Sequence, residues 1–285
     1  MRLNPFNTGN IKVGSTGGGG VGKAGGIGCG TIVIAALGYF IFGLDPFQTA
    51  ATVDGMQQSG PVASAPQNED EQALCTANEY ATETCQALDS LNQTWPVLFR
   101  EQGIDSFRQP TLRFATAQRF NTGCGAAQTG MGPFYCPADE TIYIDTSFYD
   151  QLGRMSGNRG DFARLYVVAH EYAHHLQTIT GISDQIRSAQ SQDRRRANQL
   201  QVLMELHADC YAGVWAGRNR DRVERGDFEE GMAAAAAIGD DTLTGGRVSS
   251  ENFTHGTSQQ RMAALRLGME SGDDRQCDAQ ILQAG

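Results

Sequence analysis

Apolar residues recur at helical spacing through most of the second half of the chain. This periodicity predicts helices near residues 71–102, 147–153, 161–180, 184–217, 221–238 and 257–270. Residues 111–115 and 141–145 instead alternate apolar and polar positions, as strands do. Residues 134–135 are expected to pair with the second strand through a turn at residues 137–139. A few strands followed by many helices indicate an α+β domain.

The first 70 residues carry a different pattern. Residues 1–26 are rich in Gly and predict a flexible tail, because such a segment buries too little apolar surface to fold. Residues 27–44 form an uncharged apolar run that is long enough for a single transmembrane helix. A buried core helix and a cleaved signal peptide are the alternatives, although residues 49–51 make a poor cleavage site. Residues 45–70 then predict a flexible linker, which leaves residues 71–285 as one domain.

Charge divides the chain at the apolar run. Arg2, Lys12 and Lys23 precede the run, whereas all 32 acidic residues follow it. The positive-inside rule therefore places the amino terminus in the cytoplasm and the domain in the periplasm or outside the cell. The acidic domain argues against nucleic-acid binding. Residues 17–23 imitate a phosphate-binding loop, but Ala24 replaces the Mg²⁺-binding Ser or Thr, so we expect no nucleotide.

Cysteine usage agrees with an exported domain. One cysteine falls in the apolar run, and the even number that remains indicates disulfides. Two of the possible pairings would each close a short loop and would leave one long-range pair, but the sequence does not choose among the pairings. These candidate pairs are Cys75–Cys85, Cys124–Cys136 and Cys210–Cys277.

The most specific chemical pattern is His-Glu-x-x-His, at His170, Glu171 and His174. On a helix the two imidazoles lie one turn apart and can hold one Zn²⁺, while the glutamate reaches a zinc-bound water. Glu205 and Asp209 share a helical face downstream. We expect Glu205 to be the third metal ligand and Asp209 to accept the second ring N–H of a ligand histidine. An exposed acidic helix face is the alternative for this pair.

Two neighbouring histidines are expected to be structural. His175 lies roughly 140° around the helix from His170 at about 100° per residue, and His207 lies roughly 200° from Glu205. Neither ring can share the metal in the usual geometry.

These residues resemble a known type of enzyme. His-Glu-x-x-His followed by Glu-x-x-x-Asp resembles the gluzincin zinc metallopeptidases, of which thermolysin is the familiar example. The longer strings at residues 132–137, 168–177, 205–216 and 254–261 are more closely similar to the neutral zinc metallopeptidase family of membrane-anchored bacterial proteins.

The resemblance implies a zincin-like domain, with a small sheet beside the motif helix and a mainly helical remainder. The edge strand of that sheet would bind an extended peptide, and residues 142–144 are the candidate strand. The resemblance also implies a downstream histidine that stabilises the oxyanion, for which His255 is the candidate. A loop histidine that bonds to nearby backbone is the alternative interpretation of His255.

The leading functional hypothesis is a membrane-anchored, zinc-dependent endopeptidase. Zinc would activate a water, and Glu171 would move its proton to the leaving amine of a polypeptide substrate. A second hypothesis is a zinc protein of the cell envelope that binds or chaperones other proteins without cleaving them. A third is a disulfide-held adhesion or scaffold module that contains no metal.

Overall fold

The computed structural model describes residues 1–17 and 70–282. The predicted membrane span at 27–44 and the linker up to residue 69 lie outside the described residues. No helix within the two described ranges has both the length and the apolar character that a membrane crossing requires.

A mixed sheet lies at one side of the domain. Its four strands in the described ranges follow the order β1-β2-β6-β5, with β1, β2 and β6 parallel and β5 antiparallel to β6. A separate antiparallel hairpin, β3–β4, stands beside it. The strands are β1 (Val13–Ser15), β2 (Thr111–Phe114), β3 (Arg119–Thr122), β4 (Gly125–Gln128), β5 (Phe134–Cys136) and β6 (Thr141–Ile144).

The sheet confirms three strand predictions and corrects the prediction of the edge strand. β2, β5 and β6 form where alternation and turn residues predict them, and Tyr135 lies opposite Ile142. However, β6 lies between β2 and β5 with every residue buried, so residues 142–144 are not an edge strand. Among the described strands, β1 and β5 form the two edges of this sheet.

The prediction of a flexible tail is wrong for residues 1–17. β1 pairs with β2, and Met1, Ile11 and Val13 are buried in the main core. These few apolar side chains fold because the sheet and α2 provide the surface that the segment itself lacks.

Helices make up the rest of the domain. They are α1 (Glu71–Cys75), α2 (Glu79–Glu101), α3 (Ser147–Ser156), α4 (Asp161–Ile179), α5 (Ile182–Gln192), α6 (Ala197–Arg218), α7 (Asp227–Ala237), α8 (Asp240–Leu243), α9 (Ser258–Ser271) and α10 (Arg275–Leu282). Short 3₁₀ turns occupy Thr8–Asn10, Arg194–Arg196, Arg220–Arg222 and Ser250–Asn252.

Local capping breaks two of the predicted long helices. The side chain of Asn78 accepts a hydrogen bond from the backbone of Ala81 and starts α2 separately from α1. Asp193 has extended backbone and accepts from the backbone of Arg195, which separates α5 from α6. These short polar side chains compete with helix continuation, and apolar periodicity does not register that competition.

α4 runs through the centre of the domain, packed by α2, α6 and α7. α9 lies directly on α6, and Gly213 and Gly268 make that approach possible. A Cβ on Gly268 would overlap the backbone carbonyl of Cys210 and lie 2.6 Å from the backbone nitrogen of Val214. This backbone contact holds α6, and thus Glu205, in a defined position over α4.

Within the described ranges three disulfides cross-link the domain. They are Cys75–Cys85, Cys124–Cys136 and Cys210–Cys277. The first joins α1 to α2, the second joins the β3–β4 turn to β5, and the third joins α6 to α10. The candidate pairings drawn from loop length are therefore the ones formed.

Candidate metal centre

Three side chains from two helices meet at one point beside the sheet. His170 and His174 project from the same face of α4, and Glu205 reaches them from α6. Glu205 Oε2 lies 3.2 Å from His170 Nε2, and Glu205 Oε1 lies 3.7 Å from His174 Nε2. Zinc bonds of about 2.0–2.1 Å in a tetrahedron separate neighbouring ligand atoms by roughly 3.3 Å. The three donors therefore fit a single zinc ion.

The electrostatics of these side chains also favour a cation. Burial lowers the pKa of His170, but its hydrogen bonds to Asp209 and Glu205 outweigh burial and raise the pKa to about 9. Burial raises the pKa of Glu205, yet the two histidines hold that pKa well below its ordinary value. The carboxylates thus stabilise a positive charge where the three donors converge.

Asp209 orients the first histidine. His170 Nδ1 donates to Asp209 Oδ1 at 2.8 Å, which leaves the lone pair on Nε2 facing Glu205. Tyr166 donates its hydroxyl to the same oxygen at 2.5 Å, and Arg261 donates to both oxygens at 2.8 Å. The structure thus brings Asp209 next to a ligand histidine, as the helical spacing predicts.

Arg261 was missed by sequence reasoning. Its side chain is only 2% exposed and lies against Asp209, which is 0% exposed. A buried carboxylate needs a counter-charge, so a basic partner for Asp209 was foreseeable. Which of the many arginines supplies it depends on the packing of α9 against α6.

Glu171 lies in the cleft beside the three donors, and 9% of its surface is exposed. Burial raises its pKa above the ordinary value, against the lowering effect of His170 and His174. A carboxylate whose pKa is raised is a stronger base, so it takes a proton from water more readily and can release it again.

The structure also brings His255 into this cleft, from the loop between α8 and α9. Asp240, fully buried, accepts the backbone N–H groups of Thr254 and His255 at 2.7 Å and of Gly256 at 3.1 Å. The His255 ring faces Asp240 Oδ1 and the Thr254 hydroxyl through Nδ1, both at 3.1 Å. Its buried Nε2 has no hydrogen-bond partner in the part of the chain that the structure describes. The ring is therefore held by side chains, with one nitrogen left for a ligand in the cleft.

The cleft has a volume of about 130 Å³ and largely apolar walls. The edge strand β5 and its flanks supply one wall, with Pro133, Phe134 and Pro137. Ile186 of α5 and Met204 of α6 line it as well. The strand that borders the site is thus β5, and not residues 142–144.

His175 and His207 do not join the three donor atoms. His175 Nε2 donates to the backbone carbonyl of Arg108 at 2.7 Å, and burial lowers the pKa of this ring to about 4. His207 lies behind the site, between Gln177 and Asp278. Gln177, a further residue that sequence reasoning missed, accepts a hydrogen bond from His174 Nδ1 at 2.8 Å.

Comparison with known proteins identifies the family. A family model described as putative neutral zinc metallopeptidase matches residues 7–280. The chain belongs to this family. The uncharacterized protein YpfJ of Escherichia coli (strain K12) is 42% identical over 253 residues, which is 87% of this chain and 84% of that protein. The uncharacterized protein Rv2575 of Mycobacterium tuberculosis (strain ATCC 25618 / H37Rv) is 37% identical over 206 residues, 67% of each chain. No solved structure matches this chain.

Family membership narrows the identity of the metal. The description of the family names zinc. Two imidazoles and one carboxylate form a donor set typical of catalytic zinc sites, which keep one position open for water or substrate. The site geometry and the family thus agree on zinc.

Proposed function

We propose that this protein is a zinc-dependent endopeptidase, with His170, His174 and Glu205 as the ligands of the metal. One observation carries the proposal: the three donors, Glu171 and the unpartnered Nε2 of His255 all face a single cleft. A base, a metal site and a second polar donor around one cleft are what hydrolysis of a peptide bond requires.

Zinc, when bound, supplies a Lewis acid that makes a water nucleophilic at neutral pH. Glu171 then acts as the general base, because its carboxylate adjoins the three donors without being needed as a ligand. It takes the proton of the attacking water and passes it to the nitrogen of the leaving amine. The pKa of Glu171, raised by burial, suits both halves of this transfer.

His255 is proposed to donate a hydrogen bond from Nε2 to the oxygen of the reacting carbonyl. Such a bond requires a proton on Nε2. Asp240 Oδ1 lies 3.1 Å from the other ring nitrogen, Nδ1. Asp240 also holds the loop backbone on either side of His255, so it serves as the positioning residue for this ring.

The proposed substrate is an extended segment of polypeptide. β5 is an edge strand that borders the cleft, and its outward backbone groups can pair with a peptide as an added strand. Phe134, Ile186 and Met204 form apolar walls, which favour an apolar side chain beside the scissile bond.

We propose that the domain works outside the cytoplasm. Its disulfides support this location, because such bonds persist mainly in oxidising compartments. The β1–β2 pairing requires residues 13–15 in the same compartment as the domain. Labelling of a single cysteine placed at Ser15 in intact cells tests whether the amino terminus shares the compartment of the domain.

The catalytic proposal is tested with Glu171→Gln. Hydrolysis of an unstructured protein should fall by about 10²–10⁴-fold while zinc stays bound, because the base is lost and the ligands are kept. Glu251→Gln, at an exposed position, is the matched control and should retain full activity. Unchanged cleavage by Glu171→Gln would exclude the mechanism. Stoichiometric zinc without turnover on a broad peptide library would instead support the non-proteolytic binding role.

A further inference from the structure

A chain of buried polar side chains leads from His174 to the carboxy-terminal helix. His174 Nδ1 bonds to Gln177 Oε1 at 2.8 Å, and Gln177 Nε2 bonds to His207 Nδ1 at 3.0 Å. His207 Nε2 bonds in turn to Asp278 Oδ1 at 3.0 Å, on α10. Gln177 is 0% exposed and His207 is 2% exposed, so water does not replace the bond between them. The Asp278 side chain at the end of the series is 31% exposed.

The direction of every bond follows from one backbone group. The carbonyl of Met204 can only accept, and Gln177 Nε2 donates to it at 2.8 Å. The amide oxygen of Gln177 must then face His174, which therefore donates from Nδ1. Because Gln177 also donates to Nδ1 of His207, the proton of His207 is on Nε2 and points at Asp278. The result leaves the lone pair of His174 Nε2 directed toward Glu205, where a ligand nitrogen is needed.

Asp278, at the end of this hydrogen-bonded series, is held against α6, the helix that carries Glu205. Asp278 follows Cys277, whose disulfide partner is Cys210 on α6. Tyr211, also on α6, donates its hydroxyl to Asp278 Oδ1 at 2.7 Å. The position of Asp278 is thus tied to the same helix as Glu205.

We propose that Gln177, His207 and Asp278 are positioning residues for the metal ligand His174, which makes α10 part of the metal centre. The inference rests on the proposed zinc site. His170 receives its orientation directly from a carboxylate, Asp209. His174 receives it through this three-residue relay, because the structure places an amide rather than a carboxylate against its Nδ1. Removal of any hydrogen bond in this relay should leave the His174 ring less well oriented and should weaken zinc binding.

The test measures the dissociation constant for zinc of the full chain by competition with a chelator. Asp278→Ala should raise this constant about tenfold, and Gln177→Leu should raise it by about 10–100-fold. Asp278→Asn should stay close to the wild type, since its amide oxygen still accepts from His207. Asp273→Ala is the matched control, because that carboxylate lies in the same segment but bonds to Arg275.

Further measurements separate positioning from mere support of the fold. In the Co²⁺-substituted protein, Asp278→Ala and Gln177→Leu should change the ligand-field absorption, whereas Asp273→Ala should not. If Asp278→Ala does not fold, His207→Asn replaces it, because that change keeps an acceptor for Gln177 and removes the donor to Asp278.

A zinc dissociation constant within twofold of the wild type in the folded relay variants would overturn the proposal. So would an equal rise in Asp273→Ala. These measurements do not depend on peptide hydrolysis. If the protein binds zinc but cleaves no peptide, the proposal of a peptidase is refuted, and the proposal for the relay can still be tested. Failure of the wild type to bind zinc would refute both.

Discussion

Substitution of Asp209 by leucine tests the energetics of the metal centre most directly. The carboxylate is completely buried and accepts hydrogen bonds from His170, Tyr166 and Arg261. Leucine has the same branched arrangement of side-chain heavy atoms but accepts none of them. The change therefore leaves the guanidinium of Arg261 buried without a counter-charge and leaves the His170 ring without an orienting acceptor.

Two separate losses are expected. A buried ion pair that loses one partner costs about 3–5 kcal/mol, a large share of the roughly 5–15 kcal/mol that stabilises a typical domain. The ligand histidine that loses its acceptor should weaken zinc binding by about 10–100-fold. The first loss arises from Arg261 and the second from His170, so a second substitution can separate them.

The separating variant is Asp209→Leu combined with Arg261→Met. Urea unfolding in the presence of a chelator, with the disulfides intact, gives the free energy of unfolding of the metal-free protein. This free energy should recover most of the loss caused by the unpaired guanidinium, because an apolar pair can replace a buried ion pair. The buried Tyr166 hydroxyl still lacks its acceptor, so about 1–3 kcal/mol of the loss should remain. Competition titration should show that zinc affinity does not recover, since His170 still has no acceptor.

A matched control sets the scale for this experiment. The exposed pair of Asp273 and Arg275 should contribute little to stability, because solvent screens it, so Asp273→Ala should barely change the unfolding curve. The reasoning is refuted if Asp209→Leu costs no more than this control. It is also refuted if the double variant regains wild-type zinc affinity.

Four further predictions concern the packing of α9 on α6 and the titration of two histidines. Gly268→Ala should lower the free energy of unfolding by about 1–3 kcal/mol or more, measured by urea titration, because its Cβ would force α9 away from α6. Zinc affinity should rise about tenfold per pH unit from pH 7 and level off near pH 9, as the proton of His170, whose pKa is about 9, is displaced. Calorimetry of the metal-free protein should show the reverse trend, because that proton stabilises the fold fully below about pH 6.5 and its contribution is lost as pH rises through 9. Buried His175, with a pKa of about 4, should cost the wild type about 3 kcal/mol of stability as pH falls from about 6.5 to 4, and His175→Gln should lack this part of the acid sensitivity.

Much of the metal site was predictable because its determinants are local. A helix places residues four apart on one face, so the spacing of His170 and His174, and of Glu205 and Asp209, predicts pairs that the fold retains. Strand alternation at residues 111–115 and 141–145 is likewise a property of neighbouring residues. Short loops between cysteines favour nearby pairing, which is why two of the disulfides were foreseeable.

The remaining features depend on contacts between residues far apart in the chain. Which strand is an edge depends on all the pairings of the sheet, and neither the position of β1 beside β2 nor that of β6 inside the sheet follows from local alternation. The counter-charge of Asp209 comes from α9, because Gly213 and Gly268 let the backbones of two helices touch.

The partner of His255 and the relay behind His174 also depend on contacts between residues far apart in the chain. Burial requires that each of these polar groups be paired, but it does not specify the partner. The packing of α8, α9 and α10 selects Asp240 for His255, and it brings Asp278 to His207. The amino-acid sequence by itself thus determined the local face that carries the zinc ligands, and the tertiary structure decided what holds those ligands in place.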